Sequence, residues 1–339
     1  MITMLDVALK AGVSKATVSR VLADNSYVSK TTRDRVFKAI AETGYRPNLL
    51  ARNLATSKSQ SIGLMVSNTL YHGPYFNELL FQTATMTESY GRQLVLADGK
   101  HSAAEERQAI EFLLDLRCDG IIVYPRYLDA AQLSQIIDAS SKPIIIVNRQ
   151  LEANPRHCVF ADHQQYSYNA VEHLIKQGHR DIAFITGIPG SPTAESRLRG
   201  YRQALEKYNL PFRQAWLEEG DWTMQSGLTA TKALLSRDIS FSALVASNDD
   251  MAIGAANQLH AVGKAIPQDV SLVGFDDIQM ACYFIPSLSS VRVPVAEMIK
   301  TSLIQLVNMM ENRPLDPLPP FPGELMIRDS LGAGPYAAC

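Results

Sequence analysis

The chain has 339 residues, 46% of them hydrophobic and 19% charged, with a net charge of −2. That length suits two or three domains around a substantial core, and the balance is that of an ordinary globular protein. No apolar run approaches the ~20 residues that a membrane helix needs, and Asp6 interrupts the one place where an export signal could begin.

The four cysteines (Cys118, Cys158, Cys282 and Cys339) form no CxxC pair, and the seven histidines have no metal-ligand spacing. The expectation is reduced thiols in a cytoplasmic protein with no metal and no cofactor. The small net charge hides an asymmetry. Residues 1–60 carry ten basic and four acidic residues, a charge of +6, whereas the remainder carries −8. A basic arm on an acidic body points to nucleic acid at one end.

The first elements account for that arm. TMLDVALKAGVSKATVSRVL reads as a helix from Thr3, a turn at Ala11-Gly12-Val13 and a second helix from Lys15. Thr3 and Ser14 stand at cap positions. Ala8 is small where two helices cross, and Gly12 tolerates a positive φ. Val7, Ala11, Val13, Val18 and Val21 supply contacts between the helices. This is the helix-turn-helix pattern, whose second helix enters the major groove.

The outer face of that helix is Lys15, Ala16, Ser19 and Arg20, small enough to lie against base edges. Arg20 can donate two hydrogen bonds to a guanine and Ala16 can touch a thymine methyl. Lys15 suits a base or a phosphate, while Ser14, Thr17 and the free N–H groups of the helix start suit phosphates. A helical hairpin without a DNA role is the plain alternative.

A third helix is expected from about Thr31 to Thr43, with Val36, Phe37 and Ile40 inward and Gly44 as its stop. In YRPNLLARNLATSKSQ, Pro47 starts a short helix and the polar run TSKSQS ends it as a linker. Leu50 and Leu54 find nothing in the small head to pack on. A paired helix inserting leucine into a minor groove would use them, and so would a dimer contact.

From Ser61 onward, apolar runs SIGLMVS, QLVLAD, GIIVYP, PIIIVN, DIAFITG, SALVASN and VSLVGFD alternate with helical stretches. That is an α/β pattern with parallel sheets, in two groups before and after about residue 160. Ligands of such sheets bind beyond the carboxyl ends of strands. Ser67-Asn68, Asp98, Asn148, Asp162, Asn248-Asp249 and Asp276-Asp277 collect there. Tyr75, Phe76 and Trp222 are candidate aromatic faces for a sugar. Each Asn or Asp has an alternative role as a helix cap.

DVALKAGVSKATVSRVL, GYRPNLLARNLA, ASNDDMAIGA and VSLVGFDD together resemble the LacI/GalR family of bacterial transcription regulators, over essentially the whole chain. The resemblance implies a small all-α helix-turn-helix head and an α/β periplasmic-binding-protein-like core of two Rossmann-like lobes joined by three crossovers. The head would span 1–46 and the hinge helix and linker 47–60. The core would span 61–339, with lobes of about 61–160 plus 291–323 and 161–290 plus 324–339.

In such proteins the linker helix folds on operator DNA as a symmetric pair, and Leu54 occupies its wedge position. The expected DNA contacts are Thr3, Ser14, Lys15, Ala16, Thr17, Ser19, Arg20, Asn25, Asn48, Ala51 and Leu54. The expected effector contacts are Ser67, Tyr75, Phe76, Asp98, Asn148, Thr193, Arg197, Trp222, Asn248 and Asp276. Matched to the family's sites, Arg197 is a central guanidinium, Asn248 and Asp276 hold hydroxyls, and Trp222 stacks.

The sequence also departs from the pattern. Asn148 stands where some members have aspartate, and Val293 and Val295 replace polar or aromatic contacts. No leucine heptad follows the last strand, which speaks for a homodimer over a coiled-coil tetramer. The expected function is a non-enzymatic repressor of a palindromic operator, controlled by a sugar, β-glucoside or galactoside.

Three alternatives differ from it. An exported sugar receptor would need a signal instead of a basic head. A nucleotide-dependent oxidoreductase would need a GxGxxG turn, which TGIPG at 186–190 matches poorly. A corepressor-dependent regulator would bind a purine-like ligand against Tyr75 and Phe76.

Overall fold

A computed structural model describes residues 2–22, 27–45, 59–67, 73–237 and 239–337. Asn25, Asn48, Ala51 and Leu54, with the expected hinge helix, lie outside the described residues.

The head has three helices, α1 (Met4–Ala11), α2 (Lys15–Leu22) and α3 (Lys30–Thr43). Thr3 caps α1 in a reciprocal box: its backbone N–H and its hydroxyl both donate to the Asp6 carboxylate, at 2.7 and 2.8 Å, while the Asp6 N–H donates back to its Oγ1. Gly12 turns the chain at φ 64°, and the Val13 N–H donates to the Ala8 carbonyl at 3.0 Å. Ser14 starts α2, its Oγ accepting from the Thr17 N–H at 3.1 Å.

Val7, Ala8, Ala11, Val18, Val21, Val36 and Ala39 form the buried centre of the head. One expectation is corrected: Phe37 is 49% exposed. Val36, Ala39 and Ile40 make the apolar stripe of α3 at spacings of three and four, and residue 37 falls off its edge.

The core contains two sheets of one design. In the first, β1 (Ser61–Val66), β2 (Gln93–Asp98), β3 (Gly120–Tyr124), β4 (Ile144–Val147) and β5 (Cys158–Val159) are all parallel, in the order β2-β1-β3-β4-β5. In the second, β6 (Ile182–Thr186), β7 (Leu217–Glu219), β8 (Ala243–Ala246), β9 (Ser271–Asp276), β10 (Ser289–Arg292) and β11 (Glu324–Met326) run β11-β10-β9-β8-β6-β7. Only β11 is antiparallel to its neighbour. From β7 to β10 the second sheet repeats the order of the first. Its strand order therefore reverses between β6 and β8, as the first reverses between β1 and β3.

All seven apolar runs are strands. β1, β3, β4, β6 and β8 are buried along their whole length, because helices cover both faces. Fully burying each Ile, Leu or Val is worth about 1.5–3 kcal/mol, so these runs anchor the fold. The strands with no apolar run are β5, β7, β10 and β11, which have two to four residues each.

Helices α4 (Pro74–Ser89), α5 (Ala103–Asp115) and α6 (Ala130–Ala139) belong to the first lobe. Helices α7 (His163–Lys176), α8 (Pro192–Lys207), α9 (Met224–Leu235) and α10 (Asp249–Ala261) belong to the second. The chain crosses three times: from β5 to α7, from β10 to α11 (Val295–Met310), which packs on β3, β4 and α4, and back to β11. Two crossings lie side by side. Ala161 bridges Phe321, and the Phe321 N–H donates to the Phe160 carbonyl at 2.8 Å. No described helix is long and apolar enough to cross a membrane.

Candidate functional site

Two surfaces hold the expected residues. On the head, Ser14, Lys15, Ala16, Ser19 and Arg20 are exposed and Thr17 is half-buried, while Val18 and Val21 face inward. Lys15 and Arg20 make no hydrogen bond or ion pair among the described residues, so both are available to a ligand. The Ser14 and Thr17 hydroxyls lie 2.9 Å apart at the start of α2. The face is narrow, cationic and unobstructed, with phosphate-sized donors at one end.

The second surface is the cleft between the lobes, at both reversal points. Its walls include Gly73, Pro74 and Tyr75 at the start of α4, Tyr124 at the end of β3 with Pro125 and Arg126 after it, and Asn148 and Arg149 after β4. The second lobe adds His163, Thr193, Arg197, Trp222, Asn248, Asp250 and Asp276. These residues come from eight separate elements. They meet because parallel strands deliver their carboxyl ends to the same side.

A chain of hydrogen bonds crosses the cleft. Arg197, 2% exposed, pairs through Nη2 with the Asp276 carboxylate at 3.1 Å, donates through Nη1 to the Ser247 carbonyl, and lies 4.4 Å over the Phe275 ring. The same Nη2 lies 3.3 Å from Nδ1 of His163, whose Nε2 lies 2.7 Å from Asn148 Oδ1. Guanidinium only donates, so Nδ1 accepts and Nε2 carries the proton. Burial and the nearby Arg197 charge hold the His163 pKa well below its usual value, which fits the neutral ring. Asn148 Nδ2 then donates to the Tyr124 hydroxyl at 2.7 Å and to Thr193 Oγ1 at 3.3 Å, and Tyr124 meets the Tyr75 hydroxyl at 3.2 Å.

Burial raises both tyrosines and Asp276, the last against the opposing pull of Arg197. It also lifts Asp250 to about 6, with repulsion from Asp276 adding to it. Nε of Arg197 and Oδ1 of Asp250 are buried without a partner. Three cleft residues sit at positive φ: Asn148 at 61°, Trp222 at 74° and Asp276 at 99°. Such conformations are uncommon outside glycine and concentrate where function constrains the backbone. The Trp222 indole lies against Gly187, where any Cβ would collide with it. Polar groups on the walls, orphaned donors and acceptors, and one apolar ring suit a polyhydroxylated ligand.

Of the expected effector residues, Tyr75, Asn148, Thr193, Arg197, Trp222, Asn248 and Asp276 line the cleft. Asn248 also caps α10, its Oδ1 accepting from the Met251 N–H at 2.9 Å and its Nδ2 donating to the Trp222 carbonyl at 2.9 Å. Asp276 caps no helix; its carboxylate bonds Arg197.

Ser67, Phe76 and Asp98 do not line the cleft. Ser67 is fully buried and its hydroxyl donates to Glu106. Phe76, 8% exposed, follows Tyr75 by 100° on α4 and so enters the core. Asp98 ends β2, on the far side of β1 from the reversal point, and accepts from the Lys100 N–H at 2.8 Å.

Tyr124, His163, Arg126, Arg149 and Asp250 were absent from the sequence-based expectation. Tyr124 ends an apolar strand and His163 follows Asp162, so the strand-end rule covers both. Arg149 follows Asn148 and Asp250 follows Asn248-Asp249 in the same way, and nothing local marks Arg126. Among the described residues no group of three or more His, Cys, Asp or Glu could hold a metal ion.

Residues 3–48 match the family described as bacterial regulatory proteins, lacI family, and residues 171–331 match the periplasmic binding protein-like domain. The chain is 56% identical to the HTH-type transcriptional regulator AscG of Escherichia coli K12 over 331 residues, 98% of each chain. It is similar to the lac repressor dimer bound to operator and an anti-inducer, with TM-score 0.87 and 29% identity over 98% of this chain and 99% of that one. A complex of the regulator CelR with cellobiose gives TM-score 0.72 at 30% identity, over 97% of this chain and 100% of that one.

Proposed function

The chain belongs to the lacI family of bacterial regulatory proteins and is a helix-turn-helix transcriptional regulator; from that premise we propose that it is a homodimeric repressor whose palindromic operator is released when a small sugar or glucoside binds between the lobes. The operator contacts fall to the outer face of α2. Arg20 reads a guanine, Ala16 a thymine methyl, Lys15 a base or a phosphate, and Ser19 an adjoining edge. Thr3, Ser14 and Thr17 hold phosphates. Asn25, Asn48, Ala51 and Leu54 complete the interface, with Leu54 as a minor-groove wedge.

The observation that carries the effector reading is the hydrogen-bonded chain from Asp276 through Arg197, His163 and Asn148 to Tyr124. It presents a fixed order of donors and acceptors to ligand hydroxyls, with Trp222 as the apolar face. Arg197, Asp276 and Asn248 hold hydroxyls, and Tyr75, Asn148 and Thr193 border the ring. The purine-like alternative loses half of its aromatic pair, because Phe76 is buried in the core. Of the carboxylates that an enzymatic reading would use, Asp276 is tied to Arg197 and Asp249 is buried, bonded to the Ser290 hydroxyl at 2.6 Å and the Ile278 N–H at 2.9 Å, which leaves Asp250 as the cleft carboxylate with an unpartnered oxygen.

Control follows from linkage. An effector that favours the lobe arrangement incompatible with DNA lowers operator affinity by the same factor as operator lowers its own. Calorimetric titration with glucosides, galactose and purine bases, paired with operator mobility shifts, tests this. A glycoside should bind and release DNA. Purine binding that strengthens the operator complex would replace this reading with the corepressor one.

A further inference from the structure

Two guanidiniums of the cleft have no carboxylate partner. Arg149, next to Asn148 beyond β4, makes no hydrogen bond, ion pair or ring contact among the described residues. It lines the cleft and also a second cavity behind it, with Pro192, Thr193 and Ser196. Burial pushes its pKa down, against the opposing pull of Glu106 and Asp129. Arg126 reaches from the first lobe to the second, where Nη1 donates to the Gly190 carbonyl at 2.8 Å and Nη2 to that of Pro189 at 3.4 Å. Its Nε is buried with no partner.

Two of the nearby acids are committed to backbone N–H groups. The buried Glu106 carboxylate accepts the backbone N–H groups of Arg126, Tyr127 and Leu128 at 2.6, 3.0 and 2.8 Å. Asp129 caps α6 at 2.8 Å. Asp250 and Asp276 line the cleft but not the second cavity, which holds Asp162, the cap of α7, whose Oδ1 accepts from the Gln165 N–H at 2.9 Å. The same corner holds the start of α8, a sixteen-residue helix whose N-cap Ser191 makes no side-chain cap bond. Its first-turn residue Thr193 lines both cavities, so free N–H groups and the positive end of the helix dipole join the two arginines.

Resting on the sugar-site reading above, we infer that the effector carries a phosphate ester, its phosphate held by Arg149, Arg126 and the start of α8 while its sugar ring meets Arg197 and Asp276. A phosphate monoester bears about −1.5 to −2 near neutral pH, matching two guanidinium charges. Its oxygens suit the guanidinium fork and a helix N-terminus together. A neutral sugar would leave Arg149 with no bonded anion and Arg126 with backbone carbonyls alone.

The test is calorimetric titration of the full-length protein, at fixed ionic strength, with methyl β-D-glucoside, its 6-phosphate, glucose 1-phosphate and inorganic phosphate. One ester should bind at least tenfold tighter than the unphosphorylated glucoside. Arg149→Gln should reduce that ratio to threefold or less, and Arg149→Lys should restore part of it. If a thermal melt finds Arg149→Gln misfolded, Arg126→Gln carries the same test. Equal binding of ester and neutral glucoside would overturn the phosphate while leaving the sugar site standing. Inorganic phosphate binding as tightly as either ester would also overturn it, as an anion site with no sugar. No binding by any glycoside, phosphorylated or not, would remove the sugar reading and this inference together.

Discussion

Helix α2 and the interlobe cleft solve recognition by opposite means. On α2 every outward residue comes from a single eight-residue helix, is exposed, and leaves its partners free. In the cleft the functional groups come from eight elements spread over about 200 residues of chain, are buried or half-buried, and in large part already bond one another. The first surface can exchange one side chain for another with little effect on its neighbours. The second cannot, because each donor also orients the next. Substitutions on α2 should therefore alter one property, and substitutions in the cleft should alter several.

The largest expected effect is in the cleft. Arg197→Ala leaves Asp276 buried without its cation, which should cost about 3–5 kcal/mol of core stability in denaturant melts. A double change of Arg197→Met with Asp276→Leu should recover much of that loss. A cost below about 1 kcal/mol for the single change would mean that the Arg197–Asp276 pair does not hold the second lobe together.

On α2 the contrast should be clean. Arg20→Ala should weaken operator binding by about 1–3 kcal/mol and relax preference at one base pair of each half-site, with stability and effector affinity unchanged. Mobility shifts on operator variants measure it. Binding within threefold of the parent protein would remove Arg20 from base reading.

Asp276→Asn sharpens the comparison further. It keeps the shape and one acceptor oxygen for Arg197 but turns the other oxygen into a donor, so at least tenfold more effector should be needed to release the operator, which itself should bind normally. An unchanged dose response would take Asp276 out of the effector site.

The smallest effect concerns pH. Asp250 is raised from 3.8 to about 6, chiefly by burial. Between those values the folded core holds a proton that the unfolded chain has lost, so stability falls as pH rises through that window. The resulting penalty is absent below about pH 4 and full above about pH 6. Asp250→Asn should match the parent in thermal melts at pH 4 and exceed it at pH 7. Equal melting at both would show that Asp250 does not carry the shift.

The same contrast explains what could be read in advance. Helical periodicity names the outward residues of α2 because one period decides them all. The seven apolar runs reveal parallel strands because helices bury both faces. Strand ends announce the type of the cleft residues, hence Asn148, Asn248 and Asp276. Membership is another matter. Asp98 ends a strand as convincingly as Asp276, but β2 lies away from the reversal point, and only strand order says so. Tyr75 and Phe76 are adjacent aromatics whose fates separate at the first turn of α4. Arg149 and Arg126 look like surface charges until the second lobe closes over them.

The left-handed backbones of Asn148, Trp222 and Asp276 also bear on how such a protein ages under mutation. Each position would adopt its conformation more comfortably as glycine, by up to about 1–3 kcal/mol. Asn148 and Asp276 are also kept by the bonds they make to Thr193, Tyr124, His163 and Arg197, whereas the Trp222 indole makes no hydrogen bond among the described residues. In a lineage whose inducer has disappeared from its surroundings, drift toward glycine at position 222 would relieve the backbone without breaking the crossing chain. The receptor would go deaf before its DNA-binding head showed any sign of decay.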